Sequence, residues 1–127
     1  MSSAENLIIP ETITINDDIY TVKRIEANAF FRNSIISRAV IPASVTSIGD
    51  YAFRNCEKLN IIVIPESVTH IGDFAFHGCA LEVIEIPDGV TSIGNGTFSF
   101  CSNLTKIYMP SNVTSIGDMA FYGCTSL

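Results

Sequence analysis

At 127 residues the chain is of single-domain size, and 47% hydrophobic against 16% charged residues is the composition of a folded core rather than a disordered tail. Thirteen Asp and Glu against seven Lys and Arg leave a formal charge of −6, which repels phosphate backbones and argues against nucleic acid as the partner. No run of about 18 apolar residues occurs, and the N-terminal "MSSAENLIIPE" has neither a basic n-region nor a signal-length apolar stretch, so the chain is expected to be soluble with no membrane insertion.

The first 19 residues stand apart from the rest. "TITINDDIYTV" alternates Ile13 and Ile15, then Ile19, Tyr20 and Val22, about the turn-forming "NDD", which predicts a hairpin running on into residues 20–25. From Tyr20 the chain repeats itself. A partial unit, "YTVKRIEANAFFRNS", is followed by four full ones that begin at Ile35 or Ile36, Leu59, Leu81 and Leu104, and Leu127 opens a further unit. The anchors Phe30, Phe53, Phe76, Phe98 and Phe121 are spaced 23, 23, 22 and 23 residues, the single 22 arising from a deletion between Cys79 and Leu81.

Spacing this regular predicts a β-rich solenoid of 22–23-residue units, in which like residues of successive coils stack at the strand separation of about 4.8 Å. In the unit from Leu59 the inward slots are Leu59, Ile62, Ile64, Val68, Ile71, Ala75, Phe76 and Cys79. Ile62 and Ile64 alternate with Ile61 and Val63, a period-two pattern that predicts a short parallel strand ended by Pro65. The "VTSI" stretch suits a second extended segment, and Gly49, Gly72, Gly94 and Gly117 suit a corner needing positive φ or close backbone approach. "DYAF", "DFAF" and "DMAF" then read as one helical or 3-10 turn, with Asp50, Asp73 and Asp118 placed to cap it. The hairpin would cap the first apolar rung, while the far end carries no such cover and invites self-association.

The unit Leu-x-x-Ile-x-Ile-Pro-x-x-Val-x-x-Ile-Gly-x-x-Ala-Phe-x-x-Cys resembles the BspA-like class of leucine-rich repeats, from about Tyr20 to Leu127. That resemblance implies a right-handed solenoid on a cell-surface or secreted protein, adhering to matrix proteins such as fibronectin or to other cells. One departure concerns the corner where the broader leucine-rich pattern has an Asn ladder. This chain has Ser44, Ser67, Gly89 and Asn112 there, so the backbone polar groups need other partners, Ser hydroxyls or water.

No catalytic, cofactor-binding or metal-binding set emerges. Cys56, Cys79, Cys101 and Cys124 share one slot and so form a line, which cannot converge on one zinc; they read as small reduced packing residues, with Asn33 in the same slot. His70 and His77 fall in different slots and read as surface substitutions. "GNGTFSF" from Gly94 lacks the third glycine of a phosphate loop and is in register with "GDYAFRN". The three glycosylation patterns beginning at Asn95, Asn103 and Asn112 read as chance matches.

The outward residues of the first strand form the candidate site. Successive rungs present Ser37, Arg38 and Val40; Asn60, Ile61 and Val63; Glu82, Val83 and Glu85; and Thr105, Lys106 and Tyr108. This half-apolar grid predicts a protein-binding face built on Arg38, Val40, Ile61, Val63, Val83, Glu85, Lys106 and Tyr108. Strand propensity alone also explains the Val, Ile and Tyr. The expected function is non-catalytic protein binding and adhesion, the alternative being a scaffold for a larger enzyme or receptor whose active part lies elsewhere.

Overall fold

The computed structural model describes residues 5–127. Twelve short strands are present among them: β1 (Asn6–Ile8), β2 (Thr12–Ile15), β3 (Asp18–Thr21), β4 (Arg24–Ile25), β5 (Arg38–Val40), β6 (Ser47–Ile48), β7 (Ile61–Val63), β8 (His70–Ile71), β9 (Val83–Glu85), β10 (Ser92–Ile93), β11 (Lys106–Tyr108) and β12 (Ser115–Ile116). Each coil contributes one strand to a first face, where β5 pairs with β7 and β9 with β11, and one to a second face, where β4, β6 and β8 pair in order and β10 pairs with β12. All of these pairings are parallel and in register, Arg38 on Ile61 and Ile48 on Ile71, as a solenoid requires. No helix of the described residues is long and apolar enough to cross a membrane.

The phenylalanine anchors form one column through the core. Successive ring centroids lie 5.1, 5.5, 5.6 and 5.7 Å apart from Phe30 to Phe121, and no pair of planes is inclined by more than 18°. Val45, Val68 and Val90 and then Ile48, Ile71 and Ile93 line the same interior, all buried.

The N-terminal segment holds the expected hairpin and, before it, a strand that the sequence reading left out. β2 and β3 form a hairpin closed by Asn16 and Asp17, both with positive φ (51° and 69°), the geometry of a two-residue type I′ turn. All eight strand residues of this hairpin are exposed. Strand β1 lies parallel on β5, Leu7 opposite Ala39, so "NLIIP" supplies the first rung of the strand face and the hairpin interrupts that coil. Leu7, Ile9 and Val22 pack against the core at this end.

The expected helical or 3-10 turn takes the 3-10 form, with one addition that the sequence does not announce: alternate amides bond to the neighbouring coil. Within the turn, Ala52 N–H donates to Gly49 C=O, Arg54 to Tyr51 and Cys56 to Phe53, each an i to i+3 bond of the 3-10 kind. The alternate amides leave the coil: Tyr51 donates to Asp73 C=O (3.0 Å), Phe53 to Ala75 (2.8 Å) and Asn55 to His77 (2.6 Å). A helix would spend every amide internally, whereas Tyr51 and Asn55, both at φ 59°, break it and turn alternate amides to the neighbouring coil. The Asp ladder follows the same logic. Asp50 Oδ1 accepts the N–H of Asp73, Asp73 that of Asn95, and Asn95 Oδ1 that of Asp118, so each caps the next coil rather than its own turn. Close approach explains the corner glycine: a Cβ on Gly72 would sit 2.4 Å from Asp50 Oδ1 and 2.5 Å from the Asp50 amide nitrogen.

The 22-residue unit leaves a mark on the stack. β7 does not pair with β9, and β8 does not pair with β10, although every other pair of neighbouring full coils is joined on both faces. Ala80 N–H instead donates to Leu59 C=O (2.9 Å), while the turn remains fastened by Phe74, Phe76 and Gly78 N–H to Asn95, Thr97 and Ser99 C=O. The link after Cys79 is one residue shorter, and the following strand separates from β7 without slipping in register, since Ile84 still faces inward as Ile62 does. Replacing Ala80 by Glu-Lys, as in the unit containing Glu57 and Lys58, is expected to restore both pairings. Amide hydrogen exchange at Ile64 and Gly94 should then slow by about tenfold, equivalent to one net backbone hydrogen bond. Unchanged exchange at both positions would place the cause outside the deletion.

Candidate protein-binding face

The outward residues of the first strand face come from β1, β5, β7, β9 and β11, because alternate residues of a strand point to opposite sides. Inward, Ala39 and Ile84 are buried and Ile62 and Ile107 partly so. Outward, Arg38 stands over Ile61 and Val40 over Val63, and beyond the unpaired junction Val83 stands over Lys106 and Glu85 over Tyr108. Ile61, Val63, Val83 and Tyr108 are 45–52% exposed, and Val40 is half-buried. The structure thus gathers the eight expected residues into two groups: Arg38, Val40, Ile61 and Val63 on one sheet, and Val83, Glu85, Lys106 and Tyr108 on another.

Strand β1 adds two residues that sequence reading left out, Asn6 beside Arg38 and Ile8 beside Val40, with Ile8 72% exposed. The signal was present, since Leu7, Ile9 and Pro10 match Ile62, Ile64 and Pro65, but the hairpin separates them from their own coil. Asn6, Leu7, Ile8, Arg38 and Val40 line a shallow depression of about 240 Å³ at one end of the face. At the other, Glu85, Ile86, Asp88, Tyr108, Met109 and Pro110 line one of about 170 Å³. The Lys106 ammonium lies 5.4 Å from the Tyr108 ring centroid, which holds that cation against the surface.

Elsewhere the titratable groups serve packing. Each cysteine thiol donates to a phenylalanine carbonyl of the preceding coil: Cys56 to Phe30, Cys79 to Phe53, Cys101 to Phe76 and Cys124 to Phe98, at 3.0–3.1 Å. Burial pushes the Cys56 thiol up to about 11 and Cys101 up to about 12, and raises Cys79 and Cys124 as well. Thiols so far from ionising are poor nucleophiles and poor metal ligands. His77 is not a simple surface substitution: it is half-buried, its Nδ1 lies 2.5 Å from Ser99 Oγ, and burial followed by the Arg54 charge lowers its pKa. His70 is exposed on β8. At the corner lacking the Asn ladder, Ser67 Oγ donates to Val45 C=O (2.6 Å) and Asn112 Nδ2 to Asp88 C=O (3.0 Å). Thr97 and Ser99 of "GNGTFSF" turn their hydroxyls onto Gly94 and Gly96 C=O, which makes that stretch a corner. Among the described residues no group of three or more His, Cys, Asp and Glu is placed to hold a metal ion.

Comparison with known proteins agrees with this architecture. A leucine-rich repeat protein from Bacteroides ovatus is 32% identical over 100% of this chain and 39% of its own, with a TM-score of 0.72. One from Bacteroides capillosus is 31% identical over 85% of this chain and 78% of its own, at a TM-score of 0.75. A protein of Faecalibacterium prausnitzii described as a leucine rich cell surface protein is 26% identical, covering 97% of this chain and 46% of its own, at a TM-score of 0.65. The chain therefore spans less than half the length of two of these three relatives. No curated protein matches it. The family of the BspA type leucine rich repeat region matches residues 23–127 in six copies, and with the stacked Phe column and parallel strand faces this establishes that the chain belongs to the BspA-type leucine-rich repeat proteins, whose arrays generally serve as protein-interaction modules.

Proposed function

We propose that this array is a non-catalytic adhesion module of a cell-surface or secreted protein, and that it binds matrix or host-cell surface proteins through the strand face. The observation that carries this reading is the half-apolar outward grid, with Ile61, Val63, Val83 and Tyr108 exposed among Arg38, Glu85 and Lys106 on short rigid rungs. Apolar anchors with a charged surround are the usual anatomy of a protein interface. The description of the Faecalibacterium prausnitzii relative as a cell surface protein supports the location. The experiment is surface plasmon resonance against immobilised fibronectin and other matrix proteins, using this chain and an Ile61→Lys/Val83→Lys variant. Both positions are about half exposed, so the fold should survive, while two central charges are expected to weaken binding by about 100-fold or more. Equal binding by the variant would move the site off this face, and no binding by the unmodified chain to any matrix protein would remove the matrix reading.

A second reading, a scaffold segment of a larger receptor or enzyme, is favoured by the relatives' extra length: the match leaves most of the Bacteroides ovatus protein uncovered. Function would then be read from the neighbouring segments of the parent protein.

A further inference from the structure

A different surface, formed by the turns, carries an arrangement that the strand-face reading does not use. Phe31 and Arg32, Tyr51 and Arg54, and Phe74 and His77 occupy this surface on three successive coils. Tyr51 and Phe74 stack at 5.5 Å with planes 4° apart, and His77 lies 5.9 Å from the Phe74 ring. Into this stack comes the Arg54 guanidinium, 5.4 Å from the Tyr51 ring centroid, 5.8 Å from Phe74 and 6.0 Å from Phe31. Arg32 lies 5.4 Å from the same Phe31 ring.

Three observations together point to a missing anion. Among the described residues the one ion pair is Arg24 with Glu26, so neither Arg32 nor Arg54 is paired with a carboxylate. The Arg54 Nε is buried without a hydrogen-bond partner. Two guanidinium groups also share one phenyl ring, an arrangement of like charges that an anion between them would relieve. Rings around a guanidinium strip it of water while leaving its planar fork of donors intact, which favours a carboxylate held bidentately. Beside Arg32 a shallow depression of about 280 Å³ is lined by Arg32, Ser34, Asn55 and Glu57. Glu57 and the net charge of −6 disfavour a highly charged polyanion, leaving a single carboxylate on an otherwise uncharged, partly apolar chain.

We propose that the turn surface around Phe31, Tyr51, Arg54 and Phe74 docks an extended acidic segment of another protein, one Asp or Glu engaging the Arg54 and Arg32 forks while apolar neighbours lie on the rings. Binding is independent of the strand face.

The test is fluorescence anisotropy with a labelled, capped peptide carrying one central glutamate among tyrosine and serine residues, against the same peptide with glutamine for that glutamate, at about 20 mM salt to limit screening. The glutamate peptide is expected to bind at least tenfold more tightly than the glutamine one. Arg54→Gln should abolish that difference, and Ile61→Lys/Val83→Lys should leave it intact. Circular dichroism establishes the fold of each variant; should Arg54→Gln unfold, the exposed Arg32→Gln is expected to reduce the preference in the same direction. Equal affinity for the two peptides, or a preference untouched in a folded arginine variant, overturns the proposal. So does a concentration-dependent dimer that Arg54→Gln dissolves while both peptides are ignored, since the surface would then belong to a second copy of the chain.

Discussion

Replacing Phe76 by alanine is expected to lower the free energy of unfolding by about 4–5 kcal/mol, at the upper end of the range for a buried phenylalanine. Phe76 is fully buried and stacked on both sides, against Phe53 at 5.5 Å and Phe98 at 5.6 Å with planes within 7°. Truncation removes the ring's own transfer energy, opens a cavity that the two neighbouring rings cannot fill without leaving their rotamers, and breaks two ring contacts of about 0.5–1.5 kcal/mol each. The position matters as well. Phe76 lies at the junction where β7 and β9 are unpaired, so the aromatic column and the turn hydrogen bonds carry that interface without help from the strand ladders. Phe121→Ala is the control: that ring is only partly buried and stacks on one ring, Phe98, rather than two, so about half the loss is expected. Urea titration followed by circular dichroism measures both. Equal losses would mean that the column does not act through nearest neighbours, and a broadened or two-step transition in Phe76→Ala would show the stack separating at this junction, as a one-dimensional array should at its weakest interface.

Most of the coil was legible because a solenoid writes its geometry as side-chain identity: Phe on Phe, Val on Val, with Pro65 closing the strand after Ile64. Registers such as Arg38 on Ile61 and Val83 on Lys106 follow from spacing alone, and so does the outward grid of the candidate face. Two features escaped for physical reasons. Strand β1 escaped because Asn6 and its partner Arg38 are 32 positions apart rather than 23, the hairpin being spliced between the halves of one coil. The turn itself was legible in "DYAF", but its outward amides escaped, because nothing local announces that a tyrosine will adopt φ 59°. That choice is made by the neighbouring coil, which offers Asp73 C=O to the Tyr51 amide. The deletion after Cys79 was visible as a number, but its consequence, the lapse of pairing on both strand faces, is a three-dimensional one. The arginine and aromatic surface was hidden in the same way, since Arg54 meets Phe31 and Phe74 only across coils.

The turn's unusual backbone also sets up the second large effect, at Gly96. In this slot the neighbouring units place Tyr51, Phe74 and Met119, all with φ between 57° and 59°, and Gly96 itself has φ 59°. The glycine leaves room for its neighbour rather than merely tolerating the conformation: a Cβ at position 96 would lie 2.2 Å from Phe74 Cε1 and 2.4 Å from Cδ1. Gly96→Val is therefore expected to destabilise by about 3 kcal/mol or more. Roughly 1–2 kcal/mol comes from forcing a β-branched residue into the left-handed region, and the remainder from expelling a ring that stacks on Tyr51. The two contributions separate in a double-mutant cycle with Phe74→Ala. If the ring rests on the glycine, the valine should cost about 1–2 kcal/mol less once the ring is gone, while the backbone strain persists. Additivity to within about 0.5 kcal/mol would show that Phe74 lies elsewhere in solution. The cradle around Arg54 would then lose one of its three rings, so the same cycle also tests the geometry on which the acidic-segment proposal stands.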